Sequence, residues 1–295
     1  RQFAAPGIEP RHDLKYGHHE RGPRCWQEDG LRMDEPEPQF LEVGGDGAAK
    51  LRRIAYRRNE GKGKDAAELI WLPGFLSDLA SIKATAVAEW AGAHGHAMTR
   101  FDYSAHGRSS GTLLEATIGD WLEETVAVWD LMGQGPRIVV GSSMGGWIAL
   151  LLARHLVAQG SSADLAGLVL IAPAFDMTEA LMWAELPPES RAEIETRGVT
   201  YVPSDYDAPY PITSRLIEEG RRHLIAPFDP GCPVRILQGM QDLDVPWRHA
   251  LALVDLLQGG DVELTLIKDA EHRQSRPQDL QRLLATIAAL VTRAS

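Results

Sequence analysis

A strand that runs into a glycine cage and leaves it as a helix constrains this chain more than any other feature. Residues 137–159 read RIVVG, then SSM, then GGWIALLLARHLVAQ. The first run is β-branched and apolar, and the last is apolar at helical spacing. Between them, GSSMG fits the spacing G-x-S-x-G in one register only: Gly141, Ser143, Gly145. A register centred on Ser142 would need glycine at Val140. So tight a strand–turn–helix leaves no room for side chains at the two glycines. It holds the central serine in strained geometry with its hydroxyl pushed outward. Ser143 is therefore the candidate nucleophile, and Met144, the next residue, offers a backbone N–H to a developing oxyanion.

The rest of the chain supplies a frame for that turn. Strand-like runs KLRRIAYR, ELIWLP, HAMTRFDY, RIVVGS, LAGLVLIAP, PVRILQG and DVELTLIK alternate with helical patterns at Ile82–His94, Ile118–Met132, Gly145–Gln159, Trp247–Gln258 and Pro277–Thr292. That alternation predicts an α/β fold with a mostly parallel, doubly wound sheet and right-handed crossovers. QFLEVGG before KLRRIAYR fits an antiparallel start. Residues 1–38 are charged, proline-bearing and aperiodic, and are expected to form an extended or poorly ordered arm. The core is expected over 39–175 and 231–295. Residues 176–230 interrupt the alternation with ELPPES, YVPSDYDAPYP and APFDPG, and with helical pieces MTEALMWAEL and ITSRLIEEGRRHL. An insertion of this length is either a cap over the site or a structural excursion.

Several function classes are excluded by composition. The net charge of −11 disfavours nucleic acid, whose phosphates attract clustered Lys and Arg. No run of 18 apolar residues is present, so no membrane span is expected. Cys25 and Cys232 form no CxxC and lack histidines at ligand spacing, and His18–His19 lies in a polar tail, so no metal or cofactor is expected. A reduced, cytoplasmic protein is the expectation, or a mitochondrial matrix one if the source is eukaryotic.

A serine hydroxyl needs a base, and the base a carboxylate. In doubly wound sheets such groups gather where strands end. Of the ten histidines, only His106, after RFDY, and His272, in KDAEHRQ, follow a strand. The chain order Ser, acid, His selects His272, leaving His106 as a loop residue near the site. QGMQDLDVPW offers Asp242 and Asp244. It matches the pattern HGxxDxxVP with Gln238 in place of His, which puts the acid at Asp242; Asp176, after LIAPAF, is the other origin for it. WLPGFLSD puts Gly74 and Phe75 at a strand end. The Phe75 amide is the second candidate oxyanion donor, because Pro73 has no N–H.

These residues carry a resemblance. LPGFLSDLASIKATAVAEWA, RFDYSAHGRSSG, VGSSMGGW, CPVRILQGMQDLDVPW and DAEHR resemble the α/β-hydrolase family, and within it the mitochondrial acyl-protein thioesterases and acyl-glucuronide esterases. The resemblance implies an α/β-hydrolase fold with a helical cap inserted after strand 6. It implies a triad of Ser143, Asp242 and His272, and an esterase or thioesterase activity on small acyl esters or acylated proteins without a cofactor. Leu181, Met182 and Trp183 of the cap either line an acyl pocket or fix the cap to the core. Gly74 and Trp147 are further candidate substrate contacts. Competing readings are another chemistry on the same scaffold (C–C hydrolysis or perhydrolysis) and a ligand receptor without catalysis.

Overall fold

The computed structural model describes residues 36–45, 50–62, 66–203 and 209–294. Residues 1–35 of the expected arm lie outside the described residues. The chain builds β1 (Gln39–Val43), β2 (Arg52–Asn59), β3 (Glu68–Leu72), α1 (Ile82–His94), β4 (Met98–Phe101), α2 (Ile118–Leu131), β5 (Arg137–Ser142), α3 (Met144–Gln159) and β6 (Leu165–Ile171). After the interruption come β9 (Val234–Gly239), α6 (Trp247–Leu256), β10 (Val262–Ile267) and α7 (Pro277–Ala294). One eight-stranded sheet results, in the order β1-β2-β4-β3-β5-β6-β9-β10. β1 and β2 pair antiparallel, as does β2 with β4, and every pairing from β4 to β10 is parallel.

The reason lies in the strands' two apolar faces. Along β5, Val139 joins the core under α2 and α3, while Ile138 and Val140 join the core under α1 and α7. Along β6, Leu168 and Leu170 face the first core, and Val169 and Ile171 the second. A strand apolar on both faces must be covered on both, which only helical crossovers on each side provide. Each such buried side chain contributes about 1.5–3 kcal/mol. α3 is buried along most of its length because it lies over the centre of the sheet. The helix bounds expected from sequence hold to within two residues.

Between β6 and β9 the insertion holds more regular structure than the proline turns suggested. A π-helical turn, Met177–Trp183, leads to α4 (Pro188–Arg197), an antiparallel hairpin of β7 (Val199–Val202) and β8 (Tyr210–Thr213), and α5 (Ser214–Gly220). α4 and the hairpin were not expected, and the insertion is mixed rather than purely helical. In ELPPES, the two prolines sit at the N-cap and first position of α4, where a missing N–H costs nothing. Pro211 lies in a two-stranded sheet, where both strands are edges and tolerate proline. Leu186, Ile194, Ile212 and Ile217 give the insertion a small core of its own.

One carboxylate ties the ends of the insertion together. Asp176, in left-handed geometry at φ 53°, accepts a hydrogen bond from the Ile225 amide at 2.9 Å. Arg154 and Trp147 of α3 donate to the Leu224 and His223 carbonyls beside it. Burial pushes the Asp176 carboxyl from 3.8 up to about 6, against the opposing pull of Arg154. Between those values the folded chain holds a proton that the unfolded chain has lost, so this group's contribution to stability falls as pH rises through the window. Asp176→Asn keeps an oxygen for the Ile225 amide and removes the charge. Calorimetry should show Tm at pH 8 raised by on the order of 2 °C, with the difference gone below about pH 4.

Candidate active site

The turn after β5 has the geometry that its glycines foretold. A Cβ on Gly141 would fall on the Gly145 backbone, and one on Gly145 would fall on the Leu72 carbonyl, so neither position admits a side chain. Ser143 takes φ 54° and ψ −119°, a strained conformation for a residue with a Cβ. Its own backbone holds it there. The amide donates to Ile171 O at 2.8 Å, and the carbonyl accepts from Gly146 N and Ala174 N at 2.9 and 3.1 Å. Ser142 ends the strand with its side chain buried, whereas Ser143 is half-exposed.

His272 stands between this hydroxyl and a carboxylate. Its Nε2 lies 3.1 Å from Ser143 Oγ, and its Nδ1 lies 2.8 Å from Asp242 Oδ2. A carboxylate oxygen only accepts, so Nδ1 carries the proton. In the neutral ring this leaves the Nε2 lone pair facing the hydroxyl. The Asp242 side chain is fully enclosed. Its Oδ1 accepts from the Asp244 and Val245 amides at 3.0 and 2.8 Å, and its Oδ2 also accepts from Gln238 Nε2 at 3.1 Å. Asp242, Asp244 and His272 each bring one potential metal-ligand atom within 4.8 Å of the others. The Asp242 lone pairs are, however, already engaged by these four donors.

The loop after β3 closes the other side. A Cβ on Gly74 would lie 3.3 Å from Ser143 Cβ and 4.0 Å from its Oγ, so this loop passes directly beside the hydroxyl. No carbonyl of the described residues accepts from the Phe75 amide. Met144 opens α3, where an amide has no intrahelical acceptor. The Phe75 ring packs against Trp121 at 6.1 Å and edge-on against His106 at 5.9 Å and Tyr210 at 5.5 Å.

Other expected residues are placed elsewhere. Asp176 binds the Ile225 amide, and it is Asp242 that bonds His272. His106 is buried with Nδ1 on Ser104 O at 2.9 Å, and burial lowers its pKa. Trp147 was expected to touch substrate; instead it is fully enclosed in the main core, with no face left for a ligand. Trp183 packs into the insertion's own small core, with Arg191 and Arg221 guanidinium groups 5.6 and 5.3 Å from its ring. Leu181 and Met182 are partly buried against the main core, and Met182 also touches the small one. Tyr210 and Gln238 were missed as site residues. Tyr210 lies between prolines with no period to mark it, and Gln238 was read only as a departure from a histidine pattern.

Residues 64–202 match a family model described as Hydrolase_4, serine aminopeptidase, S33. The mouse mitochondrial palmitoyl-protein thioesterase ABHD10 is 37% identical over 277 residues, spanning 92% of this chain and 88% of the mouse protein. The chain belongs to the ABHD10 family of α/β-hydrolases. Human ABHD10 is 35% identical over 83% of the chain and 78% of its own length. Among solved structures, mouse ABHD10 superposes with TM-score 0.75 at 35% identity, over 88% of this chain and all of that one. A hydrolase from Agrobacterium vitis S4 gives TM-score 0.82 at 42% identity, over 87% and 100%. Est1E from Butyrivibrio proteoclasticus, at 19% identity and TM-score 0.68, shares the fold. No helix among the described residues is long and apolar enough to cross a membrane.

Proposed function

We propose that this ABHD10-family chain is a serine hydrolase of carboxylic esters and thioesters, with Ser143 as nucleophile, His272 as base and Asp242 as the carboxylate that orients it. One observation carries the reading: an unbroken chain of hydrogen bonds at 2.8 and 3.1 Å from a buried carboxylate, through one imidazole, to a serine hydroxyl on a strained turn. In the first half-reaction Nε2 takes the hydroxyl proton as Oγ attacks the acyl carbon. The carbonyl oxygen becomes an oxyanion held by the Phe75 and Met144 amides, and Asp242 stabilises the imidazolium. The imidazolium then gives its proton to the departing alcohol or thiol. Water, activated by the same ring, releases the acid and restores the hydroxyl.

The substrates we propose are acylated thiols and alcohols, in keeping with relatives named palmitoyl-protein thioesterases. Those relatives are also named as mitochondrial; a reducing compartment of that kind, or the cytoplasm, suits Cys232, which is a free thiol among the described residues. Gly74 beside the hydroxyl and Tyr210 over Phe75 form the substrate-facing rim, with Leu181 and Met182 at the base of the cap. A panel of aryl esters, S-acyl cysteine peptides and acyl glucuronides, ranked by kcat/KM, tests this directly. A fluorophosphonate probe should label Ser143, with acyl substrate competing. Saturable acyl binding without labelling or turnover would favour a receptor.

A further inference from the structure

Gln238 is a buried polar side chain beside the site that the mechanism leaves unused. It lies fully enclosed on β9, four residues before Asp242. Its Nε2 lies 3.1 Å from Asp242 Oδ2, 2.9 Å from Val245 O and 3.1 Å from Gly239 O. Its Oε1 is buried with no hydrogen-bond partner. The amide orientation is thus decided by its surroundings: turned over, Oε1 would face three oxygens and no donor. An unsatisfied buried carbonyl oxygen is costly, and the fold tolerates it here for the sake of the N–H groups opposite.

The placement has two effects. The bond to Val245 O draws the loop shut around the carboxylate, whose Oδ1 the Val245 amide already holds. The bond to Oδ2 reaches the same oxygen that receives the His272 proton. With two donors on each oxygen the carboxylate cannot rotate without losing partners, and the imidazole inherits that fixed direction. We infer that Gln238 is a positioning residue that acts through Asp242 to hold His272 in its Nδ1–H tautomer, aimed at Ser143. The inference rests on the hydrolase reading for its kinetic consequence, but not for its structural one. The pattern HGxxDxxVP has histidine here; an amide gives the same donor without a group that titrates.

The charged groups around the pair are Asp244 in the same loop, Glu271 and Arg273 beside His272, and Lys83 of α1, whose ammonium donates to the Arg273 carbonyl. None of these groups is altered in the variants, so changes in pH response report on position 238.

The test compares Gln238→Met, similar in length but without a donor, and Gln238→His with the wild-type protein. In Gln238→Met, kcat should fall about 10- to 100-fold with KM nearly unchanged, as for a misaimed base, and the acid limb of the pH–rate profile should move. Nitrogen-15 shifts of the His272 ring, read without any turnover, should change from the Nδ1–H tautomer to a mixture. Gln238→His should restore most of kcat and add a second acid titration as the new imidazole protonates beside Asp242. Gln238→Met with wild-type kcat, acid limb and tautomer, and only a lower Tm, would overturn the inference. Should Gln238→Met fail to fold, a Gln238→His profile indistinguishable from wild type would overturn it equally. A wild-type protein without turnover or probe labelling would sink the hydrolase reading alone, because the tautomer comparison still decides the role of Gln238.

Discussion

Ser143→Ala should lower kcat by about 10³- to 10⁶-fold on any ester or thioester that the wild type cleaves, and abolish fluorophosphonate labelling. The turn should survive the change. Its φ of 54° is imposed by backbone bonds to Ile171, Gly146 and Ala174, and by two glycines whose neighbours admit no Cβ, none of which involve the hydroxyl. Substrate binding should therefore persist, with KM little altered, since the amides of Phe75 and Met144 remain. Stopped-flow and steady-state assays on one substrate separate these effects. Turnover within tenfold of wild type would remove Ser143 from the mechanism, and the adjacent Ser142, with its side chain buried at the strand end, offers no substitute.

The second large effect is expected from Asp242→Asn, at roughly 10⁴-fold in kcat. The surroundings of the carboxylate dictate why. The Asp244 and Val245 amides both point at Oδ1, so the asparagine oxygen must go there. Its NH₂ then takes the Oδ2 position, facing His272 Nδ1 and Gln238 Nε2, where oxygen is required. The imidazole can keep a hydrogen bond only by accepting through Nδ1, which moves its proton to Nε2 and turns the base away from Ser143 as an acceptor. Nitrogen-15 shifts of the ring should show the Nε2–H tautomer, alongside the loss of rate. Gln238 makes the variant worse off than it would be in an apolar pocket, because two NH₂ groups now oppose each other.

Much of this site was legible in the chain because its constraints are local. GSSMG has one workable register, and the strand before it and helix after it leave a single geometry for the turn. His272 was singled out by two rules, that catalytic groups gather where strands end and that serine, acid and histidine follow in that order, and Asp242 by the pattern HGxxDxxVP; the structure joins both to the Ser143 hydroxyl by hydrogen bonds. Phe75 was placed by the strand end that precedes it. What sequence could not convey was the packing of the insertion. Trp147 and Trp183 look alike as apolar residues near the site, yet the first is fully enclosed between α3 and the main core and the second is partly buried against the insertion's own small core. α4 was hidden because Pro187 and Pro188 read as a turn, although prolines open helices as readily as they end them. Tyr210 reaches Phe75 only through the pairing of β7 with β8, a contact between residues 135 positions apart in the chain.

The clasp between Asp176 and Ile225 has an implication for how such chains diversify. Both ends of the excursion leave the sheet between β6 and β9, whose pairing uses no residue of the excursion, and Asp176, Arg154 and Trp147 together hold its return at the point of departure. Ser143, Asp242 and His272 follow β5, β9 and β10, all outside the excursion, so exchanging the excursion leaves the strands that carry them unaltered in sequence.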